Sequence, residues 1–223
     1  MRWMTRRRAL QLSAAAIAGA AAAIPQIAHS ASLVIVAFGD SQTFGSGRAP
    51  SGRSGGVPWA EAYPARLERA LRARGWDVVV NNQGVPGRTA GAGVSLVDRL
   101  PPNNLTIVQL GANDRFAGVA PATIAGYLTT IVGQLRAKGS AVVLSQNWRP
   151  EDESLYAAAR QSANETVVLF AGMYAGGKTL PQYDGGDELH LNAAGTDLVV
   201  SRLLPAVEKA LTQLGFKPAQ NPR

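Results

Sequence analysis

The sequence contains no cysteine and very little histidine. The absence of cysteine excludes disulfide bonds, thiolate nucleophiles and zinc–thiolate sites. The only histidines are His29 and His190, and no carboxylate cluster has the spacing of metal ligands. We therefore expect neither a metal nor another cofactor. Base-assisted chemistry near neutral pH would depend on His190, because His29 lies at the end of a predicted export leader.

A strong charge of one sign is also missing beyond the first thirty residues. The chain has 22 basic and 15 acidic residues, but four basic and no acidic residues lie in residues 1–30. The remainder carries a net charge of +3, which is too little to indicate nucleic acid as a partner. Hydrophobic residues make up 46% and charged residues 17%, a balance typical of one substantial globular domain.

Residues 1–30 have the features of a signal peptide. Arg6, Arg7 and Arg8 form a basic start, and Ala14–Ile24 is an apolar stretch. This stretch is well short of the ~20 residues that cross a membrane, so we expect no stable membrane anchor. Small residues at positions 28 and 30 predict cleavage after Ser30.

The route of export has two interpretations. The run Thr5–Leu10 resembles a twin-arginine signal, and a general secretory signal with an arginine-rich start is the alternative. Both predict a protein of the bacterial periplasm or the extracellular medium. The predicted organisation is a signal peptide at 1–30, one folded domain at 31–215 and a frayed C-terminal tail at 216–223.

Short apolar runs alternate with helical patterns along the domain. Five runs are nearly continuous in hydrophobicity, as in parallel strands buried on both faces: Leu33–Phe38, Asp77–Asn81, Leu105–Leu110, Ala141–Ser145 and Thr166–Phe170. Helical spacing is found in Trp59–Arg74, Pro121–Lys138 and Asn192–Leu214. This alternation predicts an α/β fold, a three-layer α/β/α sandwich with a five-stranded parallel sheet.

Polar residues suited to catalysis occur where predicted strands end, and once before the last helix. Loops at the carboxyl ends of parallel strands gather catalytic groups, and the relevant segments are Gly39–Gly45, Asn82–Thr89, Gly111–Asp114 and Asp187–His190. Serine needs an adjacent base to act as a nucleophile, which makes Ser41 and His190 a candidate pair. Asp187, three residues before His190, can hold the other ring nitrogen.

These four segments, in this order, resemble the blocks of the SGNH (GDSL-type) hydrolase family. The resemblance covers about Leu33 to Leu211 and is greatest to bacterial periplasmic thioesterase/lysophospholipase-type esterases. It implies the flavodoxin-like SGNH hydrolase fold for the predicted domain. It also implies a triad and an oxyanion hole on matching residues: catalytic Ser41, Asp187 and His190, with oxyanion donors Ser41, Gly84 and Asn113.

Three features around the first block lie outside the reacting groups. Gln42 stands where many members of the family have leucine, and we expect it not to touch the chemistry. Asp40 is expected to accept hydrogen bonds from loop amides rather than to react. The segment Gly45–Val57, rich in Gly, Ser, Pro and Arg, predicts a mobile loop beside Ser41.

The same residues also have plainer interpretations. Asp40, Ser41 and Asn113 are residue types common in turns, and His190 could be a structural histidine under the last helix. Only the presence of all four blocks favours the catalytic interpretation.

Two further motifs are rejected. Gly52–Gly56 matches a G-x-S-x-G elbow around Ser54, but no strand precedes it and no helix follows it. Gly172–Thr179 matches a P-loop pattern, but Pro181 prevents the long helix that would point its N-terminus at phosphate.

The leading hypothesis is a secreted serine esterase acting through an acyl-enzyme on carboxylic esters or thioesters, either short-chain or lysophospholipid-like. Aromatic residues near the loops could line a substrate pocket or pack ordinarily: Phe44, Phe116, Trp148 and Tyr183. Because Trp148 and Tyr183 could stack on sugars, a carbohydrate O-acetyl esterase is the alternative. A non-catalytic envelope-binding protein on the same fold is a second alternative. The expected partner is a small-molecule, lipid or glycan ester.

Overall fold

A computed structural model of the protein describes residues 32–219. The predicted signal peptide, its cleavage site and the last four residues of the predicted tail lie outside the described residues. Within 32–219 no helix has both the length and the apolar character needed to cross a membrane.

The described chain alternates strands and helices from β1 to α7. Its strands are β1 (Leu33–Gly39), β2 (Ser46–Arg48), β3 (Ser54–Gly56), β4 (Val78–Gly84), β5 (Leu105–Gln109), β6 (Ala141–Ser145), β7 (Glu165–Val167), β8 (Tyr174–Ala175) and β9 (Lys178–Thr179). Its α-helices are α1 (Ser41–Phe44), α2 (Tyr63–Ala73), α3 (Ala90–Val94), α4 (Ala112–Phe116), α5 (Pro121–Ala137), α6 (Ala157–Ser162) and α7 (Ala193–Gln213). Short 3₁₀ turns lie at Trp59–Glu61, Val97–Arg99, Pro150–Tyr156 and Pro181–Tyr183.

The central sheet confirms the predicted fold class. Five strands run parallel in the order β4-β1-β5-β6-β7, and each contains part of one of the predicted apolar runs. The last strand is shorter than predicted, because the chain leaves the sheet edge at Val168, which is 47% exposed. Two small antiparallel hairpins, β2-β3 and β8-β9, lie outside this sheet.

Helices cover both faces of the sheet, as the continuous apolar strands require. Along β1, Ile35 and Ala37 belong to one hydrophobic cluster, whereas Val36 and Phe38 belong to another. The first cluster includes buried side chains of α2 and α7, and the second includes those of α5. Alternate side chains of one strand therefore enter two separate cores, which gives three layers.

Helix ends follow local sequence signals. Asn192 caps α7, because its side chain accepts a hydrogen bond from Gly195 N–H at 3.0 Å. Gly215 follows the helix with a φ of 87°, a conformation that glycine adopts without strain. Helix α2 begins at Tyr63, later than predicted, because Trp59–Glu61 forms a separate 3₁₀ turn. Beyond α7, Ala219 N–H donates to Gly75 O at 2.8 Å.

Candidate active site

The candidate nucleophile lies directly after β1, the second strand of the sheet. Strand pairing places β1 between β4 and β5, so the loop after β1 lies at the carboxyl edge of the sheet, between the loops that follow β4 and β5. Ser41 is the first residue of the four-residue helix α1, and Asp40 caps this helix. The Oδ1 atom of Asp40 accepts a hydrogen bond from Gln42 N–H at 2.9 Å. This cap holds the turn that presents Ser41.

The structure brings Ser41, His190 and Asp187 into contact. The Oγ atom of Ser41 lies 2.8 Å from Nε2 of His190, although 149 residues separate them in the chain. The other ring nitrogen, Nδ1, lies 2.6 Å from Oδ2 of Asp187. His190 and Asp187 are buried, with exposed fractions of 1% and 2%. The imidazole is therefore held between a hydroxyl and a carboxylate away from bulk water.

Asp187 is arranged to stay ionised. Burial raises its pKa, but hydrogen bonds to the carboxylate outweigh burial, and the pKa lies below its usual value. These bonds come from the backbone N–H of His190 at 2.8 Å, from its ring, and from Leu189 N–H at 3.0 Å. An ionised Asp187 accepts a hydrogen bond from Nδ1–H, and the proton stays on Nδ1, which leaves the lone pair of Nε2 facing Ser41.

Gly84 is not placed as an oxyanion donor. Its N–H donates to Oδ1 of Asn82 at 2.9 Å, and the residue is paired with Gly39 inside the sheet. A Cβ at Gly84 would lie 2.2 Å from the backbone nitrogen of Phe44, so the glycine serves close packing. The geometry does not support Gly84 in the role that the family resemblance implies.

The turn after β4 offers a different glycine. Arg88 N–H donates to Val85 O at 3.1 Å and closes a turn in which Gly87 has a φ of 79°. Gly87 is exposed, and a Cβ there would meet nothing within 4 Å. Its N–H has no hydrogen-bond partner among residues 32–219. Gly87, unlike Gly84, is therefore accessible to a ligand.

Asn113 joins this turn to the nucleophile loop. Its side-chain amide donates to Arg88 O at 3.0 Å and, in a longer contact, to Oδ2 of Asp40 at 3.4 Å. Asp40 is 2% exposed, and burial raises its pKa to about 6, against the opposing effects of the Gln42 N–H and the nearby Arg88 charge. The amide of Asn113 thus lies among the three loops that surround Ser41.

The segment predicted as a loop beside Ser41 is partly a hairpin that covers the three candidate residues. Strands β2 and β3 pair antiparallel, with Gly47 opposite Gly55. A Cβ at Gly47 would lie 2.6 Å from Nε2 of His190, and one at Gly55 would lie 2.5 Å from Cγ of Asp187. Only residues without a side chain allow the hairpin this close approach.

The four aromatic pocket candidates occupy different environments. Phe44, at the end of α1, is half-buried, and Tyr183 packs partly buried against the core cluster of α2 and α7. Phe116, three residues after Asn113, is 57% exposed. Trp148 is buried and stacks on Tyr156, with ring centroids 4.3 Å apart. The structure therefore does not bring these four together into one groove.

One shallow surface cleft lies beside the third loop. It is open to solvent and includes Gly111 and Arg115 from the loop and helix around Asn113, with Asp152 also in its lining. Its apolar wall includes Ile124, Leu128 and Trp148.

The two rejected motifs lack the geometry of catalytic elements. Ser54 is exposed at the start of the antiparallel strand β3, and no helix begins directly after it. Gly172–Thr179 contains the β8-β9 hairpin, followed by a three-residue 3₁₀ turn instead of a helix. Among residues 32–219, no group of three or more His, Asp or Glu side chains is arranged to hold a metal ion.

Comparison with known proteins identifies the family. A model of the GDSL-like lipase/acylhydrolase family matches residues 37–198, which is more than half of the chain. The chain belongs to this family. It is accordingly an SGNH-type serine hydrolase that acts on ester bonds, and the predicted family resemblance is confirmed.

The chain is similar to named esterases. It is 33% identical over 94 residues to an arylesterase of Vibrio mimicus, a match that covers 40% of this chain and 46% of that protein. The aligned part therefore spans about half the length of that relative. This chain is also 25% identical over 169 residues to esterase TesA of Pseudomonas aeruginosa, a match that covers 70% of this chain and 83% of that protein.

A solved structure supports the fold. The crystal structure of TesA superposes with a TM-score of 0.64 at 22% sequence identity, covering 80% of this chain and 99% of the other. At this identity the similarity concerns the fold alone, and the predicted α/β sandwich is the fold that the two share.

Two features of the site were missed from the sequence. The sequence does not predict that the Gln42 side chain contacts the backbone of the segment that carries His190. The β2-β3 hairpin was treated as a mobile loop. The glycines at positions 47, 55 and 56 were the available signal, because closely spaced glycines indicate close backbone approach.

Proposed function

We propose that this protein is a secreted serine esterase that hydrolyses carboxylic esters or thioesters through Ser41, His190 and Asp187 and an acyl-enzyme. The observation that carries the proposal is the continuous chain of contacts from Ser41 Oγ through the His190 ring to Asp187. A binding protein has no need for a buried base beside a serine hydroxyl.

The proposed reaction begins with proton transfer. His190 Nε2 takes the proton of Ser41 as Oγ forms a bond to the carbonyl carbon of the ester, giving a tetrahedral intermediate. The His190 imidazolium then gives this proton to the leaving alkoxide or thiolate as the bond to carbon breaks. A water molecule, deprotonated by the same ring, attacks the acyl-enzyme and releases the carboxylic acid and free Ser41.

The negative oxygen of the tetrahedral intermediate needs hydrogen-bond donors. We propose the N–H of Ser41, which begins α1 and has no intrahelical partner, together with the Asn113 side-chain amide, which exchanges its long 3.4 Å contact with Asp40 for the oxyanion and keeps its bond to Arg88 O. Gly87 replaces Gly84 as the glycine donor, because the Gly84 N–H is engaged by Asn82 whereas Gly87 is open. Each donor of this kind is typically worth ~3–4 kcal/mol of transition-state stabilisation.

Export remains part of the proposal and rests on the sequence of residues 1–30. N-terminal sequencing of the protein recovered outside the cytoplasm should begin at Ala31 if cleavage follows Ser30. A protein recovered only in the cytoplasm with an intact leader would contradict export.

The substrate class can be measured with ester panels. Purified protein should hydrolyse nitrophenyl esters, and a series of rising acyl length run beside acetylated glycans should favour the simple esters. Sugar stacking by Trp148 is not supported, because its face is covered by Tyr156.

The nucleophile is tested with two serine variants. Ser41→Ala should abolish turnover while the melting temperature stays close to wild type, and Ser54→Ala should leave turnover unchanged. The proposal fails if Ser41→Ala keeps near wild-type activity. Release of glycan acetate with no turnover of simple esters would replace the proposed substrate class.

A further inference from the structure

The proposed base, His190, and the proposed nucleophile, Ser41, come from distant parts of the chain, so contacts elsewhere must hold their two segments together. Ser41 lies on α1 and His190 lies 149 residues later, in an irregular segment before α7. Asp187 orients the His190 ring, but it belongs to that same segment and cannot fix the segment against α1. Misplacement of a reacting group by about 1 Å can cost on the order of a hundredfold in rate.

The segment that carries His190 holds a strained backbone position. Glu188 has a φ of 66° and is the only residue other than glycine with a positive φ within residues 32–219. Such a conformation is unfavourable for a residue with a side chain and persists only where surrounding contacts enforce it. Glu188 N–H donates to Oδ1 of Asp184, and Glu188 O accepts from Thr179 N–H. These contacts hold Glu188 but do not reach α1.

Gln42 supplies a direct side-chain connection from α1 to that segment, besides the backbone hydrogen bonds that run through the β2-β3 hairpin (Gly56 N–H to Gly185 O, 3.2 Å). It follows Ser41 on α1, and its Nε2 donates to the backbone oxygen of Leu189, the neighbour of His190, at 2.9 Å. The same Nε2 donates to the hydroxyl of Tyr174 at 2.9 Å, and that hydroxyl donates to Leu189 O at 2.9 Å. The Gln42 amide, the Tyr174 hydroxyl and the backbone oxygen of Leu189 therefore form a closed triangle of hydrogen bonds, the Gln42–Tyr174 clamp.

Tyr174 is well suited to this place. It lies on β8, in the hairpin formed by the segment that matches a P-loop pattern, so that hairpin delivers a phenol next to Leu189. The ring also makes an edge contact with Phe170 at 6.2 Å between centroids. Burial raises the pKa of Tyr174 above its ordinary value, so the hydroxyl keeps its proton and can both donate and accept.

We propose that Gln42 and Tyr174 are positioning residues, which hold the Leu189–His190 backbone against α1 so that Nε2 of His190 stays within reach of Ser41 Oγ. This inference rests on the proposed function of the Ser41–His190 pair. Leucine, which many members of the family carry at the position of Gln42, cannot donate a hydrogen bond to Leu189 O.

The test uses variants that remove single atoms or groups of the clamp in the full-length protein. Gln42→Met keeps the length of the side chain without its amide, and Tyr174→Phe removes only the hydroxyl. Gln213→Met is the matched control, since Gln213 is an exposed residue at the end of α7 whose amide donates to Glu165 at 3.2 Å. Ser41→Ala is assayed in parallel.

Two kinetic measurements separate positioning from stability. Turnover of nitrophenyl acetate gives kcat and KM per titrated active site, well below the melting temperature. The rate of inactivation by diethyl 4-nitrophenyl phosphate reports attack by Ser41 on phosphorus with little dependence on ester binding. For Gln42→Met and Tyr174→Phe we expect kcat and the inactivation rate to fall together by about ten- to hundredfold, with KM within about twofold of wild type.

The double variant and the control complete the test. Because both substitutions open the same triangle, the double variant should lose much less than the product of the two single losses. The control should match wild type. The clamp is overturned if both single variants keep kcat and inactivation rates within twofold while Ser41→Ala is inactive, or if only their melting temperatures fall. Activity retained by Ser41→Ala would instead overturn the proposed function. If one single variant fails to fold, the other decides.

Discussion

At the scale of single residues, the ionised carboxylate of Asp187 determines how His190 acts. Its pKa is held below the usual value by hydrogen bonds from the His190 backbone and ring, which outweigh burial. A group of this kind remains charged across the pH range in which ester hydrolysis is measured. Any change of activity with pH near neutrality should therefore not come from Asp187.

This assignment predicts different consequences for the two residues. His190→Gln removes the base and should lower kcat by at least about a thousandfold. Asp187→Asn leaves the ring in place but favours the wrong tautomer, with a loss of up to about 10⁴-fold. Measurements of kcat and kcat/KM at neutral pH for wild type and both variants check this, with circular dichroism as the folding control. Undiminished neutral hydrolysis by His190→Gln would remove the triad from the proposal.

Residue-scale prediction succeeded where it depended on spacing and failed where it depended on a distant side chain. The i,i+3 spacing of Asp187 and His190 was enough to expect their contact. By contrast, the second block contains two glycines, and the sequence cannot say which N–H is free. The side chain of Asn82 decides this, by accepting the Gly84 N–H.

At the scale of elements, the sheet was predictable because its strands are apolar on both faces. Ile35 and Val36 enter opposite cores, so the run around them cannot be an amphipathic helix or a half-exposed strand. The β2-β3 hairpin was not predictable in the same way. Its strands have three residues each and include no large apolar side chain, so no periodicity marks them. The hairpin lies against the candidate active site, with Gly47 close to the His190 ring.

That contact gives an element-scale prediction. Gly47→Ala places a Cβ 2.6 Å from Nε2 and 2.8 Å from Cε1 of His190, so either the ring or the hairpin must move. We expect kcat/KM to fall by about tenfold or more because the Ser41–His190 distance is disturbed. Activity is measured with nitrophenyl acetate on protein verified as folded by its thermal transition.

The control for this hairpin variant is Gly133→Ala. Gly133 lies on the exposed side of α5, and a Cβ there meets nothing within 4 Å. Alanine favours a helix over glycine by up to ~1 kcal/mol, so this variant should be as active as wild type and slightly more stable. If Gly47→Ala retains full activity, the hairpin does not constrain the His190 ring.

At the scale of the whole molecule, the buried carboxyl of Asp40 beside the candidate site lowers the free energy of unfolding once it ionises. Asp40 is buried with its pKa raised to about 6, so the folded protein binds a proton at this group more tightly than the unfolded chain does. Between the unfolded value of 3.8 and about 6, the unfolded state has lost this proton while the folded state keeps it. Stability from Asp40 must therefore decrease as the pH rises through this window.

Asp40→Asn should remove this decrease while keeping the helix cap, because asparagine caps helices about as well as aspartate. A difference of about two pKa units corresponds to roughly 2–3 kcal/mol of unfolding free energy between pH 4 and pH 8. Urea unfolding of both proteins across this range gives the free-energy difference between variant and wild type. As the pH rises from 4 to 8, the unfolding free energy of the variant should increase by roughly 2–3 kcal/mol relative to that of wild type, whatever the difference between the two proteins at pH 4. If the free-energy difference between variant and wild type does not change with pH, Asp40 has the same pKa in the folded and unfolded chains. Burial beside Ser41 would then not disfavour its ionised form.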